Sequence, residues 1–170
     1  MSRQFLAPAA IVLAGVLILA TGGAAADDSL HADDPHTKGY GYHDHIVGLF
    51  VGGATEEFGR RENGAVIGLE YEYRFGPRFG IGAIVEHTYG DLDIYVYALP
   101  FAYHNGPWKF YVAPGVEEGE GGSEGMLRVG VEHGFHVGKW EISPQVDIDF
   151  VERESDVFVI GVVFARGFNF

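Results

Sequence analysis

The chain closes on Phe158-Val159-Ile160-Gly161-Val162-Val163-Phe164-Ala165-Arg166-Gly167-Phe168-Asn169-Phe170. Read with the two-residue period of an extended strand, this stretch puts Phe158, Ile160, Val162, Phe164, Phe168 and Phe170 on one face. An apolar face of this length, ending on an aromatic residue, suits a strand whose outer side lies against lipid rather than water.

The opposite end of the chain supports the same reading. Arg3 supplies a positive start, Ala9 to Ala20 is an almost unbroken apolar run, and Ala24-Ala25-Ala26 offers small residues for cleavage before Asp27. The run is short of the ~20 apolar residues that a spanning helix needs. Residues 1–26 are therefore expected to be a removed export signal, leaving 144 residues, one domain's worth. There is no cysteine, which excludes lipoprotein anchoring, disulfides, thiol nucleophiles and thiolate metal sites.

The formal charge of the chain is −13. Residues 1–26 contain one base, Arg3, and no acid, so their loss leaves −14. A chain this acidic is not expected to bind nucleic acid, whose phosphates call for a basic surface. It is nevertheless 47% hydrophobic and 14% aromatic, and that combination argues for lipid-facing strands rather than disorder.

Residues 27–44 are polar and aperiodic and read as a flexible tail; from His45 onward the period becomes two. The clearest case is Ala65 to Phe75, where Ile67, Leu69, Tyr71, Tyr73 and Phe75 share one face and Gly68, Glu70, Glu72 and Arg74 the other. Eight such segments follow one another with no helical pattern between them, at 45–55, 65–75, 79–89, 92–104, 108–117, 126–137, 140–151 and 157–170. Most approach the ~9–11 residues a tilted strand needs to cross a bilayer. Gly76 to Arg78, His104 to Pro107 and Gly138-Lys139 read as tight turns. Glu56 to Gly64, Glu118 to Gly125 and Glu152 to Asp156 read as longer charged loops, with the short Gly90-Asp91 breaking the pattern. The fold class expected is all-β: a closed, antiparallel, eight-stranded up-and-down transmembrane β-barrel over residues 45–170, with short turns and both termini in the periplasm.

The alternation also assigns faces. Phe79, Ile81, Ala83, Val85, Trp108, Phe110, Val112, Val116, Leu127, Val129, Val131, Phe135, Val137, Trp140, Ile142, Val146, Ile148 and Phe150 are expected to meet lipid, with Trp108 and Trp140 in an interfacial aromatic girdle. The lumen then holds a charge network of Glu70, Glu72, Arg74, Glu86, Lys109, Arg128, Glu132, Glu141, Asp147 and Asp149, together with Tyr111, His136 and Gln145. Glycines at 68, 80, 82, 115, 130 and 134 make room for these larger groups. Eight strands enclose space only for their own side chains, and buried charges must be paired. Arg74, Lys109 and Arg128 are therefore expected to pair with carboxylates, and the carboxylates outnumber them. The 92–104 segment is apolar on both faces, so its facing stays open.

With signal, eight alternating segments and a terminal Phe168-Asn169-Phe170, the chain resembles the small outer-membrane β-barrel proteins of Gram-negative bacteria over residues 45–170. Phe168 and Phe170 match the alternating aromatics of that family's assembly signal, and Ala165 stands where the signal has glycine. The resemblance implies residence in the outer membrane, contact with outer-membrane lipid and lipopolysaccharide, insertion by the assembly machinery and a monomeric state. It does not by itself imply transport.

Three candidate chemistries follow from the residues. For catalysis, His87 stands beside Glu86, Thr88 and Asp91, but alternation turns Glu86 inward when His87 points out. Ser123, Ser143 and Ser155 have no matched base at a recognisable spacing, so no catalytic residue is expected. For metal, the tail gathers His31, Asp33, Asp34, His36, His43, Asp44 and His45, donors that suit Zn, Cu or Ni; the alternative is a solvated segment. For cations or a basic partner, Glu117, Glu118, Glu120 and Glu124 in one loop and Glu152, Glu154 and Asp156 in the next would share a mouth of the barrel. There they could recruit Ca or Mg as a bridge to lipopolysaccharide phosphates; the alternative is a solvated charged surface. No cofactor is otherwise expected. The reading that results is a non-enzymatic barrel acting in envelope structure or surface interaction through acidic loops. A narrow channel, a lipid-modifying enzyme and a soluble lipocalin-like barrel with inverted facing are the alternatives.

Overall fold

The computed structural model describes residues 43–56, 63–152 and 156–169. The expected export signal and most of the expected tail, with His31, Asp33, Asp34 and His36, lie outside the described residues, as do Glu154, Ser155 and Phe170.

Ten strands follow in chain order: β1 His45–Glu56, β2 Asn63–Arg74, β3 Phe79–Gly90, β4 Ile94–Ala98, β5 Phe101–Asn105, β6 Trp108–Gly119, β7 Gly122–His133, β8 Phe135–Val137, β9 Trp140–Val151 and β10 Val157–Phe168. Ten strands make eight spans, because two spans are interrupted. Between β4 and β5 the Leu99 N–H donates to Pro114 O at 3.0 Å and the Gly82 N–H to Pro100 O at 2.9 Å. The reciprocal bonds would need N–H groups that Pro114 and Pro100 lack, so the ladder continues at half strength across the break. The β7/β8 break falls at Gly134, whose N–H turns to Pro107 O at 2.8 Å. Pro144 lies in the stretch of β9 between the partners of Glu132 and Phe135.

Every span pairs antiparallel with its neighbours, and β10 closes the sheet onto β1 from Glu56↔Val157 to His45↔Phe168. The size of the barrel follows from the register. Stepping from partner to partner, His45 leads to Tyr73, Ile81, Phe101, Val112, Val129, Ile148, Phe158 and back to β1 at Thr55. The return lies ten residues further along β1. With eight strands, a stagger of that size sets a strand tilt of about 40° and a backbone radius of about 8 Å. Two hairpins at the end that holds the chain termini close on two-residue turns. Gly106 (φ +60°) and Gly138 (φ +65°) supply the left-handed backbone that such turns require.

Side-chain polarity is reversed relative to a protein packed in water. Leu69 is 60% exposed, and Val47, Leu49, Val51, Ile67, Phe110, Val129, Phe150, Ile160 and Phe164 stand out with it in a belt around the barrel. Arg128, Glu86, Asp147 and Asp149 are buried inside. Such an outer surface is stable against hydrocarbon and not against water, and the fold is a transmembrane barrel. Trp108 and Trp140 lie on the belt at the terminal end, beside Phe110, His133 and the Arg166 guanidinium.

The structure resolves one open facing and corrects one loop. In the 92–104 segment Tyr95, Leu99, Phe101 and Tyr103 are exposed and Ile94, Val96, Ala98 and Ala102 buried. Glu118 to Gly125 is not a long loop. The strands run on to Gly119↔Gly122, leaving Glu120-Gly121 as the turn. The hairpin ladder simply continues, so Glu118 and Glu124 are strand residues and only Glu120 lies in the turn.

Candidate functional site

The lumen is the site with the most chemistry, and inward alternation builds it from nearly every strand. Its middle is a packed layer around Arg128 of β7. The guanidinium donates from Nε to Asp149 Oδ1 at 2.7 Å and from Nη2 to Asp149 Oδ2 at 2.8 Å. It also reaches Glu86 Oε2 at 2.7 Å. Beside this pair the Tyr111 O–H donates to Asp147 Oδ1 at 2.6 Å, while Gln145 Nε2 donates to Asp147 Oδ2 at 2.7 Å and to the Tyr111 hydroxyl at 2.9 Å. Phe50 and Ile84 fill the remaining space, and Arg128 itself is 0% exposed. Glycines admit these groups. A Cβ on Gly130 would meet the Tyr111 ring and the Asp147 carboxylate, and one on Gly161 or Gly52 would meet the Phe50 ring.

Towards the terminal end a second layer surrounds Lys109 of β6. Its ammonium pairs with Glu132, lies 3.7 Å from Glu70 Oε2 and 3.6 Å from Glu72 Oε2, and sits 5.3 Å from the Tyr111 ring centroid. Glu72 also meets His104 Nε2 at 2.6 Å and Arg74 Nε at 3.8 Å. Glu141 accepts from Ser143 Oγ at 3.2 Å and lies 3.3 Å from His136 Nε2. This layer borders a chamber of about 230 Å³ at the terminal end. A separate cavity of about 410 Å³ occupies the loop end, where Glu56, Asp91, Asp93, Glu117, Glu120 and Glu124 contribute carboxylates. The two cavities share no lining residue, and the Arg128 layer stands between them.

All ten residues of the expected charge network face the lumen: Glu86 and Asp149 gather on Arg128, and Glu70, Glu72 and Glu132 on Lys109 with Arg74 beside Glu72, while Asp147 is held by Tyr111 and Gln145 and Glu141 by Ser143 and His136. The acidic set is only partly gathered. Glu117 is buried inside, opposite Glu124 across β6 and β7, whereas Glu118 lies on the outer face beside Tyr95. Glu152 is tied to the β7 end, its N–H donating to Gly125 O at 3.0 Å, and Asp156 precedes β10. Of the His/Asp set, His45 belongs to β1, stacked on Phe168 with Nδ1 2.8 Å from the Tyr71 hydroxyl. His43 Nδ1 and the Asp44 N–H both meet Asn169 Oδ1. Among the described residues no group of three His, Asp or Glu side chains comes together to hold a metal ion. Of the candidate catalytic set, Glu86 faces Arg128 inside. His87 faces out, stacked on Tyr95 and 3.0 Å from Asp93 Oδ1.

Lumen residues outside the expected set include Phe50, Ile84, Ser143 and, in the polar network, His104. The two apolar faces of its segment hide the alternation that turns His104 inward with Ala102, and counting in twos from Val96 reaches it.

No family model matches the chain, and no curated protein matches it. Among solved structures, it is similar to a de novo designed transmembrane β-barrel, at 10% identity over 74% of this chain and 98% of that one, TM-score 0.49. It is similar also to the N-terminal β-barrel domain of Pseudomonas aeruginosa OprF, at 11% identity over 72% and 98%, TM-score 0.49. A third likeness is to the Yersinia pestis outer membrane protein Ail, at 12% identity over 73% and 99%, TM-score 0.45. At such values these likenesses carry no argument about activity, and the fold rests on the strand register above.

Proposed function

We propose that this chain is a closed, non-enzymatic barrel of the Gram-negative outer membrane that serves envelope structure and surface interaction. In this reading the termini and tight turns lie in the periplasm and the acidic mouth lies outside. The observation that carries the proposal is the packed Arg128 layer between two cavities with no shared lining. A layer of mutually bonded side chains in an eight-stranded lumen suits a scaffold and leaves no path for solutes. Ser143 faces the lumen beside Glu141, whereas His87 faces out beside Asp93, so this serine and this imidazole do not form a nucleophile–base pair. This supports a role without catalysis.

The partners in this reading are bilayer lipid and lipopolysaccharide around the belt and the assembly machinery during insertion, with the barrel a monomer. The carboxylates of the loop-end mouth are the surface offered outward, and they favour basic partners. Epitope tags test the arrangement. A tag in the β1–β2 connection is expected to be reached by antibody on intact cells, and a tag at Gly138-Lys139 only after permeabilisation. The reverse pattern, or recovery of the protein in the soluble periplasmic fraction, contradicts it.

A further inference from the structure

Charge outside the lumen is divided between the two ends of the barrel. Among the described residues the exposed basic side chains, Arg78, Lys139 and Arg166, all lie at the terminal end. The exposed acidic ones, Asp91, Asp93, Glu120 and Glu152, all lie at the loop end. The leaflet that meets the terminal end therefore faces positive charge, and the one that meets the loop end faces negative charge.

Arg166 differs from the other two cations in standing on the wall rather than in a turn. It belongs to β10, on the outward face with Phe164, and its partner on β1 is the exposed Val47. The last pair toward β9 is Ala165↔Glu141, so the next step brings Arg166 beside Trp140, where its guanidinium carbon lies 6.0 Å from the ring centroid. Among the described residues no carboxylate pairs with Arg166, and neither its N–H groups nor the Trp140 indole N–H has a hydrogen-bond partner. A guanidinium at the edge of an apolar belt, with aromatic and aliphatic neighbours, calls for an anion at the depth of the lipid headgroups. Its planar fork matches two oxygens of a phosphodiester, and the indole N–H offers one more donor beside it. Phe164 and Leu49, paired in register and both exposed, continue the wall toward the middle of the belt as a surface for acyl chains.

We propose that Arg166 and Trp140 form a site for an anionic glycerophospholipid, its phosphodiester on the guanidinium and the indole N–H and its acyl chains along Phe164 and Leu49. The inference deepens the envelope reading by naming a lipid class and its place, and it rests on that reading's location in a bilayer. In the orientation proposed above, the lipid belongs to the periplasmic leaflet.

The test is native mass spectrometry of the refolded full chain released from nanodiscs of phosphatidylglycerol and phosphatidylcholine in equal amounts, with insertion checked by protease protection. Phosphatidylglycerol is expected to stay bound in preference to phosphatidylcholine. Arg166→Gln, which removes the charged donor, is expected to lower that retention about tenfold. Trp140→Leu, which removes the ring and its N–H, is expected to lower it in the same direction, and it carries the test if Arg166→Gln does not refold. Arg78→Gln removes the same charge at the same end, in the turn between β2 and β3, and is expected to leave retention unchanged. Retention that survives Arg166→Gln or Trp140→Leu, an equal loss in Arg78→Gln, or equal retention of the two lipids would each overturn the site and leave the envelope reading standing. A barrel that does not insert would remove both.

Discussion

Arg128 and Asp149 face each other across β7 and β9 and are joined by two parallel hydrogen bonds of 2.7 and 2.8 Å. The fork of the guanidinium fits the carboxylate in a plane, and Glu86 takes the remaining side at 2.7 Å. Removing Arg128 strands two buried carboxylates in the middle of the lumen. Arg128→Met is expected to destabilise the barrel by about 3–5 kcal/mol, measured from urea unfolding in lipid vesicles. The triple change Arg128→Met, Glu86→Gln, Asp149→Asn is expected to recover part of that loss, because no net charge is then left buried.

The interior glycines can be tested against one outside the packing. Gly130→Ala places a methyl on the Tyr111 ring and the Asp147 carboxylate, groups already fixed to each other and to Gln145. A cost of about 1–3 kcal/mol is expected. Gly76→Ala, with nothing within 4 Å of the added carbon, is expected to stay within about 0.5 kcal/mol of wild type. The same unfolding measurement separates the two.

Depth in the bilayer is a third test. Leu69 lies mid-strand, paired with Leu49 and Val85, which are also mid-strand. Leu69→Arg is expected to cost about 2–4 kcal/mol, whereas Tyr89→Arg, next to the last residue of β3, is expected to cost about 0–1 kcal/mol. Equal penalties would mean that the belt is not centred where the register puts it.

Trp108 and Trp140 each begin a strand after a two-residue turn at the terminal end. Quenching by lipids brominated at different depths is expected to be strongest for both near the headgroup region and weak at the bilayer centre. Strong quenching from the centre would displace the proposed girdle.

The alternation of Ile67, Leu69 and Tyr71 against Gly68, Glu70 and Glu72 made strand, facing and lumen legible together, because charge and apolar bulk separate cleanly there. Legibility failed where that separation fails. From Tyr95 to Tyr103 both faces are apolar, since the lumen beside Val96, Ala98 and Ala102 is a small apolar cluster with Ile84, Ala113 and Met126. The polarity rule does not apply inside such a cluster, and His104 was lost with it. Glu118 to Gly125 is illegible as strand for the opposite reason. Glycines and carboxylates resemble a loop in composition, yet the Glu117↔Glu124 and Glu118↔Ser123 pairs continue the ladder. Which acceptor each cation takes could not be read at all, because those partners are set by a stagger accumulated around eight spans.

In the proposed reading the Arg128 layer closes the lumen. Single-channel recording of the refolded protein in a planar bilayer measures whether it does, with insertion verified independently by protease protection. Wild type is expected to be silent. Stable conductance steps from the inserted wild-type barrel would contradict it, because they require a continuous path through Arg128, Glu86 and Asp149.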